Sequence, residues 1–304
     1  MQPNITKKKR SLYSKILLAV VIAAVLWFIW QNLSEIKLYN FRVRWSYVFA
    51  AFLVTLANYI MNFFIWVWLT SSFGLKVPLL KAARGWFLSY LGKYIPGKVA
   101  LLLVRLDAYS GFSKKVVALA TIVEYIVALA AACLVIIFSV MISPEIVPVY
   151  MRWASLICAI ILLAILYPPL LKGLANWALR LFRREPIDDF PSFKKILLFV
   201  MTYMVTSLVS GLVIFLVLNA LTPVSFKYFL AITGIYNIAG LVGLAALFAP
   251  GGIGVREGML FLLLPLFIPK PAVIVGAIVT RLLLILVELL LAGIFVSAEK
   301  VCRK

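Results

Sequence analysis

The chain has 304 residues, of which 65% are hydrophobic and 13% are charged, and its mean hydropathy is +1.12. A soluble protein of this length needs far more polar surface to stay in solution, so the composition excludes a soluble fold. Lysine and arginine number 30 against 10 acidic residues, which gives a formal net charge of +20. Basic residues at the ends of apolar runs are typical of membrane topology and of anionic lipid contact, so we expect no nucleic-acid partner.

Apolar runs long enough to cross a hydrocarbon core of about 30 Å recur along the whole chain. Length and flanking residues predict six full spans, over residues 14–33, 46–70, 115–141, 152–177, 194–221 and 272–297. The first run follows Lys7-Lys8-Lys9-Arg10 and resembles a signal peptide, but it lacks a small-residue cleavage site. We therefore expect it to remain as a transmembrane helix.

The distribution of basic residues predicts the topology. With a cytoplasmic N-terminus, most lysine and arginine residues, Arg105 among them, fall on the cytoplasmic side. The sequence thus predicts an all-α polytopic protein of the cytoplasmic (plasma) membrane, with both termini in the cytoplasm. Residues 1–304 are expected to form a single integral membrane domain.

Two further apolar regions, 80–106 and 226–268, are each interrupted by proline and glycine. The interruptions are Gly92-Lys93-Tyr94-Ile95-Pro96-Gly97-Lys98 and Pro250-Gly251-Gly252-Ile253-Gly254. Such clusters break helices, so each region is predicted to be a re-entrant hairpin. Three spans, an odd number, separate the two regions, so they enter the membrane from opposite sides. The two breaks are also about half a chain length apart. We therefore predict an inverted repeat with halves at about 14–141 and 152–297. The alternative is coincidence, since Pro-Gly pairs are common at helix ends.

The predicted breaks suggest an anion site. Backbone that leaves a helix at membrane depth must be buried in protein or line a wet cavity. Helices restarting after each break would direct free N–H groups into that cavity, which favours phosphate. The predicted headgroup-binding residues are the cations and glycines beside the breaks: Lys93, Lys98, Arg256, Gly97, Gly251, Gly252 and Gly254. The alternative is that the cations extend to the membrane surface and anchor the hairpins.

Other charged side chains at membrane depth form a predicted intramembrane charge network, consisting of Glu124, Glu257, Arg281 and Glu288. Arg281 and Glu288 share a helix face two turns apart, so each is expected to pair with another helix, Glu124 being one candidate. Structural charge pairing and proton coupling are both open as roles for these residues. For Glu257 the alternative is a carboxylate that stabilises the first turn of a helix.

Uncharged polar side chains also lie inside the predicted spans. Asn58 and Asn62 share a helix face, and Ser207, Ser210 and Gly211 form a small-residue patch. Close packing between helices explains these residues better than substrate contact does.

Metal and redox chemistry find no support in the residue types. The sequence contains no histidine, and its three cysteines have no metal-ligand or disulfide spacing. No glycine loop followed by Lys-Ser/Thr is present for ATP binding. We therefore expect no metal, no cofactor and no catalytic residues.

Two segments resemble a known family. The run Ala249–Gly258 (APGGIGVREG) and the run Arg84–Lys98 (RGWFLSYLGKYIPGK) are similar to signatures of the lysylphosphatidylglycerol synthase transmembrane-region family, also described as flippase-like integral membrane proteins. Many members have arginine where Lys98 stands. The resemblance extends over nearly the whole chain and implies lipid handling.

In bifunctional members of that family, the membrane region translocates aminoacylated phosphatidylglycerol and a separate soluble domain makes it. This chain ends at Lys304, directly after the last predicted span, so no synthase domain and no aminoacyl transfer are expected. Other stand-alone members are associated with glycolipid or polyprenyl-lipid pathways, which leaves the lipid open.

This architecture leads to three functional hypotheses. The leading hypothesis is a lipid translocase (flippase-like) for an anionic or phosphate-bearing lipid, bound in a central cavity between the two opposed hairpins. A non-transporting lipid-binding partner, or scaffold, of a synthase or glycosyltransferase would need the same residues. An enzyme acting on a lipid phosphate or sugar would need an acid/base pair or nucleophile that the sequence does not provide, so we expect no enzyme.

Overall fold

The structure is a computed structural model that describes residues 42–94, 99–142, 166–181, 190–246 and 249–302, with a few single positions between 30 and 164. Every regular element in these ranges is helical. The α-helices are α1 (Trp45–Ser72), α2 (Leu79–Tyr90), α3 (Val99–Ala108), α4 (Lys114–Ile142), α5 (Pro168–Leu181), α6 (Phe193–Leu221), α7 (Phe229–Ala245), α8 (Val255–Leu263) and α9 (Lys270–Cys302). Short 3-10 turns lie at Leu91–Tyr94, Phe226–Tyr228, Pro250–Gly252 and Leu264–Leu266.

Five helical segments in the described ranges are long and apolar enough to cross a membrane. They are Trp45–Ser72, Lys114–Ile142, Phe193–Leu221, Phe226–Ala245 and Lys270–Ala298. Four of them match the predicted spans 46–70, 115–141, 194–221 and 272–297, which confirms a polytopic membrane protein. The predicted span 14–33 lies outside the described residues.

The predicted span 152–177 is wrong as a single helix. Leu166 and Tyr167 form a turn, and α5 begins at Pro168. Pro168 and Pro169 have no backbone N–H to donate, and proline disfavours helical conformation in the residue before it, so no helix continues through Leu166 and Tyr167. Leu166 and Leu171 are buried against residues of α4 and α6, which hold the turn in the protein core.

The two predicted hairpin regions differ from each other in the structure. In the region 80–106, α2 has 12 residues and α3 has 10, so neither can cross a core of about 30 Å alone. In the region 226–268, α7 and its preceding 3-10 turn are together long enough to cross. No Pro or Gly pair interrupts this segment before Pro250. The short element there is α8, with 9 residues.

Helix α6 is the centre of the bundle and packs against α1, α4, α7 and α9. The outer faces of the bundle are apolar and exposed. On α1 the exposed residues include Phe49, Leu53, Ile60 and Phe64, which recur at helical spacing. In a soluble protein such a surface would be an aggregation hazard, whereas in a bilayer it contacts the acyl chains.

Helices α6 and α7 approach closely at Gly211. A Cβ added at Gly211 would lie 2.1 Å from Thr233 Oγ1 and 2.5 Å from Thr233 Cβ. Because threonine is branched at Cβ and has little freedom on a helix, it cannot rotate away. We expect Gly211→Ala to lower the free energy of unfolding by about 1–3 kcal/mol through overpacking, measured by thermal unfolding in detergent.

Gly240→Ala on α7 is the matched control, because a Cβ there meets nothing within 4 Å. It is expected to be neutral or slightly stabilising, since alanine has the higher helix propensity. Equal unfolding temperatures for the two variants would contradict the close approach of α6 and α7.

Candidate functional site

The bundle encloses a cavity of about 270 Å³ whose wall includes residues of α1, α2, α3, α4, α6, α7, α8 and α9. Aromatic side chains form much of the wall: Tyr59, Trp86, Tyr90, Tyr125, Tyr203 and Tyr236. Four charged residues also line it: Lys93, Arg105, Glu124 and Arg256. A cavity in which aromatic side chains, charges and uncharged polar groups converge is suited to hold the polar part of a ligand.

The first charged pair joins α3 to α4 at the cavity wall. Arg105 donates to Glu124 Oε2 at 2.5 Å, and their side chains are 1% and 10% exposed. Arg105 also donates to Thr121 Oγ1 at 3.3 Å and to Ser89 Oγ at 3.2 Å. The guanidinium carbon lies 4.0 Å from the ring centroid of Trp66. Arg105 is therefore buried in the bundle and is not an exposed residue of a cytoplasmic segment.

Glu124 receives further hydrogen bonds from two aromatic residues. Trp86 Nε1 donates to Glu124 Oε1 at 3.3 Å, and the Tyr203 hydroxyl donates to the same atom at 3.4 Å. Both carboxylate oxygens are thus satisfied, as a buried charge requires. Glu124 does not pair with Arg281 or Glu288, which corrects the expected partner.

The second charged pair joins the 3-10 turn Leu91–Tyr94 to α9. Lys93 Nζ donates to Glu288 Oε1, and the Tyr59 hydroxyl donates to the same oxygen. The Tyr94 hydroxyl donates to Glu288 Oε2 at 2.9 Å. The Glu288 side chain is 1% exposed and that of Lys93 is 25% exposed, so the lysine is the member of the pair that a ligand can reach.

Arg256 is the cation at the cavity without a carboxylate partner. Its guanidinium carbon lies 4.2 Å from the ring centroid of Tyr236, and it forms no ion pair among the described residues. Arg256 also lines a second, smaller cavity that includes Thr280 and Arg281. A half-buried guanidinium that faces a cavity and lacks an acid is suited to bind an anion.

The break before α8 depends on glycine. Gly251, Gly252 and Gly254 have φ angles of 58°, 70° and 81°, in the left-handed region that other residues rarely adopt. Arg281 donates to the Gly251 carbonyl at 2.9 Å, and its guanidinium carbon lies 5.5 Å from the Tyr94 ring centroid. The 3-10 turns Leu91–Tyr94 and Pro250–Gly252 contact each other, so the two interruptions meet inside the bundle.

The predicted charge network is corrected at two members. Glu257 accepts a hydrogen bond from the Gly254 backbone N–H at 2.7 Å and caps α8, as its first-turn alternative proposed. Arg281 bonds to a backbone carbonyl, because α9 brings it beside the glycine turn. Gly97 and Lys98 lie outside the described residues. In the part of the chain that the structure describes, no cluster of His, Cys, Asp or Glu could hold a metal.

Sequence reasoning missed Arg105 and the aromatic residues around both ion pairs. One signal was present: Leu101 and Arg105 of α3 and Tyr109, which directly follows it, recur at four-residue spacing, and all three are buried. Asn58, Asn62, Ser207 and Ser210 were assigned to helix packing. Asn58 does donate to Ser210 across α1 and α6, at 2.9 Å, but all four residues also line the cavity.

Comparison with known proteins gives one family match. The family model described as "Lysylphosphatidylglycerol synthase TM region" matches residues 15–292. The matched range includes α1 to α8, most of α9 and both helix interruptions. No curated protein matches the chain.

Proposed function

The chain belongs to the family of lysylphosphatidylglycerol synthase transmembrane regions, and from that premise we propose that it is a lipid translocase for an anionic or phosphate-bearing lipid. The lipid headgroup would enter the cavity between the helices while the acyl chains stay in the bilayer. Membership of this family and the five apolar helices make membrane lipids the natural ligands.

Arg256 carries the proposal. A buried or half-buried charge in a membrane protein is costly and is usually paired. Glu124 in the cavity wall is already paired with Arg105, and Glu288, which is not a lining residue, is paired with Lys93, so Arg256 has no acid partner at this cavity. A headgroup phosphate would supply the missing anion and two acceptor oxygens for the planar guanidinium.

Lys93 is proposed as the second phosphate ligand. It lines the same cavity as Arg256 and is the more exposed member of its ion pair. If the phosphate draws Lys93 away, Glu288 keeps hydrogen bonds from Tyr59 and Tyr94. Because Glu288 would still lose its counter-charge, we expect Lys93 to bind the phosphate with its remaining N–H donors while it keeps the bond to Glu288. Lys98, Gly97, Gly251, Gly252 and Gly254 remain proposed parts of the same site.

An inverted repeat with re-entrant segments remains part of the proposal. The order long helix, shorter helix, break, short helix, long helix occurs in α1–α4 and again in α6–α9. In this order α4 corresponds to α9, and α2 corresponds to α7. The packing of α4 on α7 therefore has its counterpart in the packing of α9 on α2, and both occur in the structure. Such a pattern supports a repeat whose broken segments meet at a central site, as in transporters that alternate access between the two sides.

The remaining features of the proposal follow from charge and chemistry. We propose the cytoplasmic membrane as the location, with both termini in the cytoplasm, because basic residues favour that side. No catalytic role is proposed, since Glu124 and Glu288 are held in ion pairs and Glu257 caps α8. A synthase or glycosyltransferase partner would supply or consume the lipid.

Translocation of a fluorescent anionic phospholipid in proteoliposomes tests the proposal. We expect Arg256→Ala to slow translocation about 10-fold to 100-fold, since a charge-assisted hydrogen bond is worth about 1.5–3 kcal/mol. Arg256→Lys should retain part of the rate. Lys270→Ala is the control, because it removes one exposed positive charge elsewhere.

Two outcomes would count against translocation. Equal rates for Arg256→Ala and the wild type would remove the residue that carries the proposal. Lipid that co-purifies with the wild type, is lost from Arg256→Ala, and yet is never translocated would favour the non-transporting partner or scaffold.

A further inference from the structure

Helix α5 is too short to cross the membrane, yet it carries an exposed apolar face. Its 14 residues extend about 21 Å, less than a hydrocarbon core of about 30 Å. Leu170 and Trp177 lie seven residues apart on one face and are 54% and 62% exposed. Tyr167, in the turn before the helix, is exposed as well. Nothing in the described part of the chain covers these side chains, so their apolar surroundings must come from outside it.

The other two faces of α5 are basic and protein-facing. Lys172, Asn176 and Arg180 recur at four-residue intervals on a second face, and Arg180 is exposed. Leu171, on a third face, is fully buried in a cluster with residues of α4 and α6. A helix with an apolar face, a basic face and a face packed on the bundle fits neither the bilayer centre nor water. It fits the boundary between headgroups and acyl chains, where tryptophan is also favoured.

The surroundings of α5 are basic. The ring of Tyr167 lies 6.2 Å from that of Phe193, between centroids, so α5 begins beside the N-terminal end of α6. Lys194 and Lys195 follow on α6 and are both exposed. The sequence from 166 to 195 contains six basic and three acidic residues. This end of the bundle therefore carries a net positive charge, which anionic headgroups complement.

We propose that α5 is an interfacial helix that binds anionic lipid headgroups of the surrounding leaflet, at a surface separate from the cavity. Leu170 and Trp177 lie among the acyl carbons nearest the headgroups, and Lys172 and Arg180 bond to headgroup phosphates. Among the described residues, none that lines the cavity belongs to α5. This role of α5 requires only that the chain lies in a membrane, whether or not the cavity translocates lipid.

Quenching of tryptophan fluorescence by brominated phosphatidylcholines tests the depth of α5 in the full chain, reconstituted in vesicles. The chain has eight tryptophans, so the signal of Trp177 is taken as the difference between the wild type and Trp177→Phe. We expect bromines near the headgroup end of the acyl chain to quench this signal more than bromines near the bilayer centre.

Two results of the quenching experiment would overturn the interfacial position. A Trp177 signal that no brominated lipid quenches would place this face in water or against another protein. Strongest quenching by bromines at the bilayer centre would indicate a membrane-spanning segment.

Native mass spectrometry of the detergent-solubilised full chain tests the preference for anionic lipid, with phosphatidylglycerol and phosphatidylcholine as probes. The background is Arg256→Ala, which removes the cation that the proposed function assigns to the cavity. We expect Arg180→Gln/Lys194→Gln to lower the association constant of phosphatidylglycerol about tenfold and to leave that of phosphatidylcholine unchanged. Lys227→Gln/Lys270→Gln is the matched control, because it removes two exposed cations elsewhere and should change neither constant more than about twofold.

The outcomes distinguish this surface from the cavity. Loss of the phosphatidylglycerol preference in Arg256→Ala alone would assign all anionic-lipid binding to the cavity and overturn the role of α5. Equal association constants for the α5 variant and its control would overturn it as well. A preference that persists in Arg256→Ala and is lost when the cations at α5 are removed supports the surface, even if proteoliposomes show no translocation.

Discussion

Arg105→Met is expected to lower the free energy of unfolding by about 3–5 kcal/mol, because it leaves the Glu124 carboxylate buried without its counter-charge. Arg105 bonds to Glu124 at 2.5 Å, joins α3 to α4 and lies over Trp66. The loss should appear as a much lower unfolding temperature in detergent. A smaller folded yield in the membrane should accompany it.

A double variant that also removes the glutamate charge isolates the effect of the unpaired charge on stability. In Arg105→Met/Glu124→Gln the buried charge is gone, while the glutamine oxygen still accepts from Trp86 and Tyr203. Most of the lost stability should therefore return. Lys227→Met, at an exposed position, is the control and should stay within about 0.5 kcal/mol of the wild type. A double variant no more stable than Arg105→Met would argue against a buried ion pair.

Gly252→Ala is expected to open the break before α8 and to abolish lipid binding. Two penalties coincide at this residue: its φ angle is 70°, and an added Cβ would lie 3.0 Å from the Gly243 Cα and carbonyl oxygen. Backbone atoms cannot rotate away, so α7 and the turn must separate. We expect a loss of about 3 kcal/mol or more, from left-handed strain together with overpacking.

Gly254→Ala distinguishes the two penalties. Its φ angle is 81°, so it suffers similar strain, but a Cβ there meets nothing within 4 Å. It should cost about 1–2 kcal/mol and weaken lipid binding less than Gly252→Ala does, because the Gly254 N–H already donates to Glu257. Binding and unfolding temperature measured on both variants give the comparison. Equal losses would show that backbone strain alone, and not the contact of Gly252 with Gly243, controls the turn.

The local pattern of residues in the sequence predicted much of the fold. The membrane class, the four long helices α1, α4, α6 and α9 and the positions of the two breaks followed from hydropathy and from proline and glycine. These features depend on residues close together in the chain, which is why composition and spacing predict them. The Pro168-Pro169 pair carried the same kind of signal, and the predicted span 152–177 overlooked it.

The candidate site followed from the sequence only in part. Arg256 and Lys93 were identified because a charge in an apolar run is conspicuous. The partner of Lys93 was not identified, since Glu288 lies 195 positions away in the chain. Nor was the pair of Glu124 with Arg105, which the charge distribution assigned to the cytoplasmic side. The tyrosines that complete both pairs resembled ordinary interfacial aromatic residues.

The sequence by itself determined that this chain spans a membrane, belongs to a lipid-handling family and carries cations at two helix breaks. Hydropathy, helix-breaking residues and the family motifs are properties of residues close together in the chain, so they can be identified without knowledge of any tertiary contact. The tertiary structure alone decided which of the cations lining the cavity stays free of an acid. Packing α9 against α2 and α4 beside α3 brings Glu288 to Lys93 and Glu124 to Arg105, so that Arg256 faces the cavity unpaired. Charge pairing between helices is set by distance in space, and no spacing along the chain encodes it.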